Sequence, residues 1–244
     1  MSIPYSALAH WYDDLNGEID YEAWADALAR QLPAGGTVLD LACGTGNITL
    51  PLARRGFDMI GTDISCDMLA RAREKAEEQG LSPLLLCQDM TALDLYGTAD
   101  GAVCCLDSIN YLTADGALRS CFSGVNKFLV PDAYFFFDVN TPYKFENVYG
   151  DNHYVLEDDG VLLTWRNAYE DGLCDFALDV FTALPDGTYE RQSEDQTERC
   201  YDMRTLVRTA EECGFEVCGV YGDLYTRQAC DNDERWYFKL RKKI

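Results

Sequence analysis

Val38-Leu39-Asp40-Leu41-Ala42-Cys43-Gly44-Thr45-Gly46-Asn47 joins an apolar run to a helical pattern through small residues. The spacing predicts a buried strand over Thr37 to Leu41, a tight turn at Gly44-Thr45-Gly46 and a helix reaching about Arg55. Small residues in such a turn let a ligand touch backbone, and the helix start behind it offers unpaired amides and a positive dipole end to an anionic group. A second apolar run, Phe57 to Thr62, ends at Asp63, nineteen residues beyond Gly44. An acid at that place can accept hydrogen bonds from both ribose hydroxyls of an adenosine, so the two features together predict a nucleoside site. A dinucleotide would need a third glycine where this chain has Thr49, and no Gly-Lys-Ser or Gly-Lys-Thr phosphate loop is present.

Outward from this stretch, strands and helices alternate. A helix over Glu18 to Leu32, carrying Ile19, Trp24, Leu28 and Leu32, stops at Pro33-Ala34-Gly35-Gly36. Beyond Asp63 the pattern predicts a helix from Asp67 to Gln79 and strands at Leu84 to Cys87 and Ala102 to Leu106. A helix from Asp115 to Phe128 and a strand from Tyr134 to Val139 complete this half. Such alternation implies a mainly parallel sheet with helices on both faces. Between about residues 144 and 200 the period changes to two: Cys174, Phe176, Leu178, Val180, Thr182 and Leu184 share one sheet face, and Glu170-Asp171-Gly172 and Pro185-Asp186-Gly187 bracket them. An antiparallel meander of about three strands is expected there, inserted after the fifth strand. A helix from Asp202 to Cys213, stopped by Gly214, and strands at Glu216 to Tyr221 and Trp236 to Leu240 return the chain to the core. The expected domains are therefore an α/β core of residues 1–143 and 201–244, its first 32 residues acting as a lid, and an inserted subdomain of residues 144–200.

Composition narrows the partners. With 20 Lys and Arg against 42 Asp and Glu, the net charge of −22 repels phosphate backbones and anionic membrane surfaces, so neither nucleic acid nor membrane is expected. Hydrophobic residues at 48% are enough to bury a core. The 11 cysteines are odd in number and lack a CxxC zinc pair, which predicts reduced, mostly buried thiols, no metal site and a cytoplasmic protein. The edge of the meander is suited to pairing with a second copy, which would make a homodimer.

The pattern Asp-x-Ala-x-Gly-x-Gly at Asp40 to Gly46 resembles the first motif of class I S-adenosylmethionine-dependent methyltransferases, with Ala42 where glycine is common. The resemblance implies a Rossmann-like, seven-stranded, mostly parallel sheet and S-adenosyl-L-methionine as cofactor. It extends to Gln88-Asp89-Met90, which resembles the motif that holds the adenine, and to Leu106-Asp107-Ser108-Ile109-Asn110-Tyr111, which resembles the region between the methionine end and the acceptor. By that likeness Asp40 and Cys43 belong to the loop that cradles the cofactor and Ala42 offers a carbonyl to its amino group. Gly44 and Gly46 permit close approach and Asp63 takes the ribose. Ile64 and Met68 pack near the adenine, Asp89 and Met90 hold its edge, and Leu106 lines the methionine end. Tyr5 to Asn16 is similar to the lid of small-molecule members such as glycine and sugar-amine N-methyltransferases. That likeness implies in-line methyl transfer to a nitrogen or oxygen of a small-molecule acceptor; the alternatives are a non-catalytic S-adenosylmethionine-binding regulatory module and, against the net charge, a nucleic-acid methyltransferase.

Methyl transfer needs alignment more than acid–base chemistry, because the cofactor carries the leaving group. A base is required only for a protonated acceptor, and Tyr12 of the lid is the preferred candidate over Tyr111 and His10. The acceptor is expected to meet Tyr12, Asn110, Tyr111, Asn140, Trp165 and Arg166. Several of these carry a plainer alternative: packing for Tyr12, burial of the insert for Trp165, a local ion pair for Arg166. His10 and His153 read as ordinary surface or hydrogen-bonded residues.

Overall fold

The computed structural model describes residues 19–158 and 160–244. Its core runs β1 (Thr37–Leu41), α2 (Thr49–Arg54), β2 (Asp58–Asp63), α3 (Cys66–Glu78), β3 (Leu84–Cys87), β4 (Ala99–Cys104), α4 (Ala117–Phe128) and β5 (Leu129–Asn140), preceded by α1 (Tyr21–Ala29). After a second sheet come α5 (Met203–Glu212), β10 (Phe215–Tyr221) and β11 (Arg235–Lys242). The seven strands lie in the order β10-β11-β5-β4-β1-β2-β3. Five pair in parallel, while β11 runs antiparallel to both β5 and β10. Chain order reverses between β1 and β4, so the segments leaving these two strands diverge and open a crevice at their carboxyl ends.

Three consecutive phenylalanines in β5 show how one strand serves two layers. Side chains alternate across a sheet, so Phe135 and Phe137 join Phe122, Phe215 and Phe238 on the side of α4 and α5. Phe136 joins Trp24, Val38 and Met59 on the side of α1 and α2. Phe137 stacks on Phe238 of β11 at 4.6 Å between centroids, an arrangement that adds specific aromatic attraction to simple burial. α1, α3 and α5 start where the sequence supplies a cap: Asp20, Ser65 and Asp202 each accept a backbone N–H from three residues on.

β4 begins three residues earlier than its apolar run predicts, because Asp100-Gly101 lies within it rather than in a turn. A Cβ at Gly101 would stand 2.4 Å from Leu32 Cδ2, so the glycine is there for close packing. Asp100 in turn accepts the N–H of Thr37 at 2.9 Å.

The inserted sheet has four strands, not the three expected: β6 (His153–Asp158), β7 (Val161–Glu170), β8 (Leu173–Ala183) and β9 (Tyr189–Arg199), paired antiparallel in that order. β6 was missed because Val155 and Leu156 are both exposed at this edge and give the strand no alternation to read. Of the face predicted from Cys174 to Leu184, Cys174 and Phe176 pack on Phe145 and Tyr149 in the helical turn Phe145–Tyr149, Val180 packs on Leu163, and Leu184 at the far end is exposed.

The cysteines meet the expectation only in part: Cys200 and Cys213 are half-buried and Cys218 and Cys230 exposed. Cys43, Cys104, Cys105, Cys121 and Cys174 are buried free thiols as predicted, but Cys66 and Cys87 form a disulfide. One opens the helix after β2 and the other ends β3, so parallel pairing of those strands brings together residues 21 apart. No local spacing announces such a pair. Among the described residues no helix is long and apolar enough to cross a membrane, and no cluster of metal-binding side chains is found.

Replacing Phe137, fully buried against the rings of Phe122, Phe135 and Phe238, by alanine is expected to lower stability by about 3–5 kcal/mol, read from urea unfolding at constant slope.

Candidate active site

The turn after β1 carries three residues with positive φ: Ala42 at 51°, Gly44 at 54° and Gly46 at 84°. Glycine adopts this conformation freely and alanine at a cost. Asp63, at the end of the neighbouring strand, pins the turn. One of its oxygens accepts the Gly44 N–H and the other the Ser65 N–H, both at 2.8 Å. Burial pushes its carboxyl above the usual range, while the amides that donate to it work against that rise. A carboxylate has about four lone-pair sites, so two backbone bonds leave capacity for two hydroxyls. Asp40 lies beneath the turn and is 2% exposed. It accepts the hydroxyl of Thr49 at 2.5 Å, and burial raises its carboxyl to about 7. Thr49 thus occupies the third-glycine position with a functional group that ties α2 to β1.

A second turn faces the first across the crevice. Leu106 and Asp107, after β4, both have positive φ, at 61° and 51°. Their N–H groups donate to the two oxygens of Asp138, at 2.8 and 2.9 Å. Leu106, Cys105 and Ser108 line a small cavity with Asp40, Ala42, Cys43, Gly44 and Thr45. At Ala42 this cavity joins a cleft of about 1120 Å³. Asp63, Ile64, Asp89, Met90 and Tyr111 line the floor of the cleft; His153, Arg166, Asp175 and Asp195 line its roof, on the inserted sheet. The joined spaces form one continuous site at the carboxyl ends of β1 to β4, where a nucleoside can lie with one end on the glycine turn and the other against Asp89 and Met90.

The family described as Methyltransferase domain matches residues 38–132, which span both turns. A protein of Geobacillus sp. (strain WCH70) with the name Putative methyltransferase is 31% identical over 98% of this chain and 99% of its own length. The chain belongs to the class I S-adenosylmethionine-dependent methyltransferases. The crystal structure of such a methyltransferase from Clostridium acetobutylicum ATCC 824 matches it at 30% identity and a TM-score of 0.90, covering 98% of this chain and 99% of that one. The sugar N-methyltransferase KedS8 from Streptoalloteichus sp ATCC 53650 shares the fold at 20% identity and a TM-score of 0.77, covering 96% and 93%. S-Adenosyl-L-methionine is the cofactor, and the turn fits it. Gly44 and Gly46 keep positive φ at no cost, and a Cβ on Gly46 would crowd Leu50 behind the turn at 3.2 Å, so the glycines let the turn hold its backbone against the cavity.

The methyltransferase brings most of the predicted cofactor residues together. Asp40, Ala42, Cys43, Gly44 and Leu106 line the inner cavity, and Asp63, Ile64, Asp89 and Met90 the cleft. Gly46 and Met68 stand behind the turn as its support, Met68 being 3% exposed. Asp89 also accepts the N–H and hydroxyl of Thr91 at 2.7 and 2.8 Å, which closes its own turn.

The residues expected to meet the acceptor divide. Tyr111 and Arg166 line the cleft. The Tyr111 hydroxyl bonds to Gln196 at 2.8 Å, and Arg166 stands 3.8 Å from Asp179. Trp165 lies on the opposite face of the inserted sheet, against Tyr149, Tyr154 and Phe176. Asn110 and Asn140 are fully buried. Asn110 accepts the N–H of Asn140 at 3.0 Å and donates to the Arg199 carbonyl at 2.9 Å, joining the two sheets. Tyr12 and His10 lie outside the described residues.

A buried charge cluster under the site went unread in the sequence. Arg235 bonds to Asp138 and, at 2.7 Å, to Asp107. Nearby, Asn140 donates to Glu198 at 3.0 Å and accepts from Lys144 at 2.9 Å. Burial, reinforced by Asp107, pushes Glu198 up to about 8, and burial, reinforced by Arg235, pulls Lys144 down. The available signal was Asp138 itself, a lone acid in the apolar run Phe135 to Val139.

Two measurements follow from this geometry. Ala42→Gly, which removes a side chain from left-handed backbone, should raise stability by up to about 1 kcal/mol in urea unfolding and leave S-adenosylhomocysteine affinity within twofold. Glu198 holds its proton in the folded state up to about pH 8, whereas its ordinary value is 4.5. Across that window the unfolded chain has already lost the proton, so this contribution to stability is present below about 4.5 and is lost as pH rises through 8. The melting temperature should therefore fall from pH 5 to pH 8, and less steeply in Glu198→Gln; an unchanged slope would show that Glu198 is ionised throughout.

Proposed function

We propose that this methyltransferase transfers a methyl group in line to a nitrogen or oxygen of a small-molecule acceptor enclosed between the glycine turn and the inserted sheet. The observation that carries the reading is the cleft. At about 1120 Å³ it has room for the nucleoside cofactor and one further small molecule, pockets for single ligands being roughly 300–1000 Å³. The net charge of −22 supports the same reading, since it opposes the phosphate contacts on which nucleic-acid affinity rests. KedS8 is named a sugar N-methyltransferase, and amino sugars are one acceptor class to try with this architecture.

When bound, the cofactor supplies an activated methyl group on an excellent leaving group. The chain's own residues have the task of orientation. Asp63 takes the ribose hydroxyls with the lone pairs that Gly44 and Ser65 leave, and Asp89 and Met90 hold the adenine edge. Ala42, Gly44 and Leu106 enclose the amino-acid end. The inserted subdomain, residues 144–200, presents Arg166 to the acceptor, and Tyr111 faces it from the core. When the acceptor arrives protonated, Tyr12 takes its proton as the phenolate, or as the phenol while passing its own proton to solvent.

The test is transfer of radiolabelled methyl from S-adenosylmethionine to a panel of amino sugars, small amines and hydroxylated metabolites, with RNA and DNA alongside. Label in a small molecule is expected; label in nucleic acid alone overturns the reading. With an acceptor in hand, Tyr12→Phe should lower kcat by about tenfold or more at unchanged S-adenosylhomocysteine affinity, and Asp63→Ala should weaken that affinity by at least about tenfold.

A further inference from the structure

We propose that Asp138 and Arg235 are positioning residues for the amino-acid end of the cofactor, acting through the Leu106–Asp107 turn that walls the inner cavity. The inference rests on the reading above that Leu106 borders that end of the ligand.

Neither Leu106 nor Asp107 is glycine, yet both stand in the left-handed region, in succession. Side chains of L-residues disfavour that backbone, so two in a row persist only where surroundings impose them. The imposing group is Asp138. It comes from the adjacent strand β5, is wholly buried, and gives one carboxylate oxygen to each of the two turn amides. Such bonds to an ionised acceptor are strong and directional, and two from one rigid group fix both position and tilt of the turn.

A buried carboxylate keeps its charge only if paired, and the pairing here does more than neutralise. Burial pushes the Asp138 carboxyl up, and the Arg235 guanidinium beside it works against that rise. Arg235 enters from β11, the next strand out, and its two terminal nitrogens divide between Asp138 and Asp107. One planar fork therefore holds both the clamp and the turn residue it clamps. The guanidinium also lies 5.8 Å from the centre of the Trp24 ring, which fixes it from the side of α1. Three adjacent strands thus contribute to one turn: β4 supplies the backbone, β5 the acceptor and β11 the cation. The turn they hold lines the same cavity as Ala42 and Gly44. Relaxation of Leu106 out of the left-handed region would move the wall of that cavity without touching the ribose or adenine positions at Asp63 and Asp89.

Binding of S-adenosylhomocysteine and of adenosine is to be compared by titration in the full chain, each variant being held below its melting transition. Asp138→Asn replaces one accepting oxygen by a donor, so one turn amide loses its partner while Arg235 keeps Asp107. Expected is a loss of at least about tenfold for S-adenosylhomocysteine and less than twofold for adenosine, which lacks the amino-acid end. Equal losses for both ligands would mean that Asp138 only supports the fold and would overturn the proposal, as would unchanged affinity for S-adenosylhomocysteine. If Asp138→Asn does not fold, Arg235→Lys decides: it keeps the charge but replaces the planar fork that sets Asp138 and Asp107 apart by a single nitrogen, and the same selective loss, about threefold or more, is required of it. Failure of the unmodified protein to bind either ligand would instead remove the cofactor-site reading itself.

Discussion

Carboxylates that accept backbone amides across neighbouring strands are the constraint on which the site depends. The turns after β1 and β4 both leave the sheet through positive φ, and each is held by an acid from the strand on its outer side: Asp63 of β2 for the first, Asp138 of β5 for the second. β1 and β4 lie side by side at the reversal of strand order, so the two pinned turns face each other over one cavity. The strand order creates the opening and the carboxylates set its shape. Removing either acid would leave amides without partners next to backbone that has reason to relax.

The two pins differ in surroundings, and the difference follows from what each must do. Asp63 lies at the end of its strand and is 9% exposed, with lone pairs to spare beyond its two backbone bonds. It can serve the fold and a ligand together. Asp138 lies inside its strand, both oxygens are engaged by amides, and Arg235 balances its charge. It can act on a ligand only through the turn it holds. Burial of the same type of side chain thus yields a contact residue in one place and a support in the other.

The fold was legible because its signals are local. Asp40 to Gly46 declares strand, turn and helix within a few residues, and Phe135 to Val139 reads as a buried strand whatever it packs against. Asp63 is found by counting from Gly44, since the length of a strand-helix-strand unit varies little. What escaped the sequence depends on contacts between distant segments. Asn110 and Asn140 read as candidates to touch a substrate because they follow strands that lead to the site, but they bond to each other and seal the joint between the sheets. Trp165 reads as pocket or packing, with packing the plainer of the two, and only the register of β7 against β8 decides which face it takes. The Cys66–Cys87 bridge and the Arg235 fork arise from neighbouring strands and leave no periodic trace.

Arg235 stands 97 residues from Asp138 and 128 from Asp107 along the chain. The glycine turn, in contrast, is pinned by an acid 19 residues away. Contacts of such different span are acquired at different stages, since closing a long loop is entropically costlier and slower than closing a short one. The ribose side of the site can therefore take shape when only the first strands are in place, whereas the wall at the other end waits for β11, the last strand in sequence, to enter between β5 and β10. Ligand competence is thereby tied to the end of the chain: the wall of the inner cavity is complete only once β11 has paired with β5.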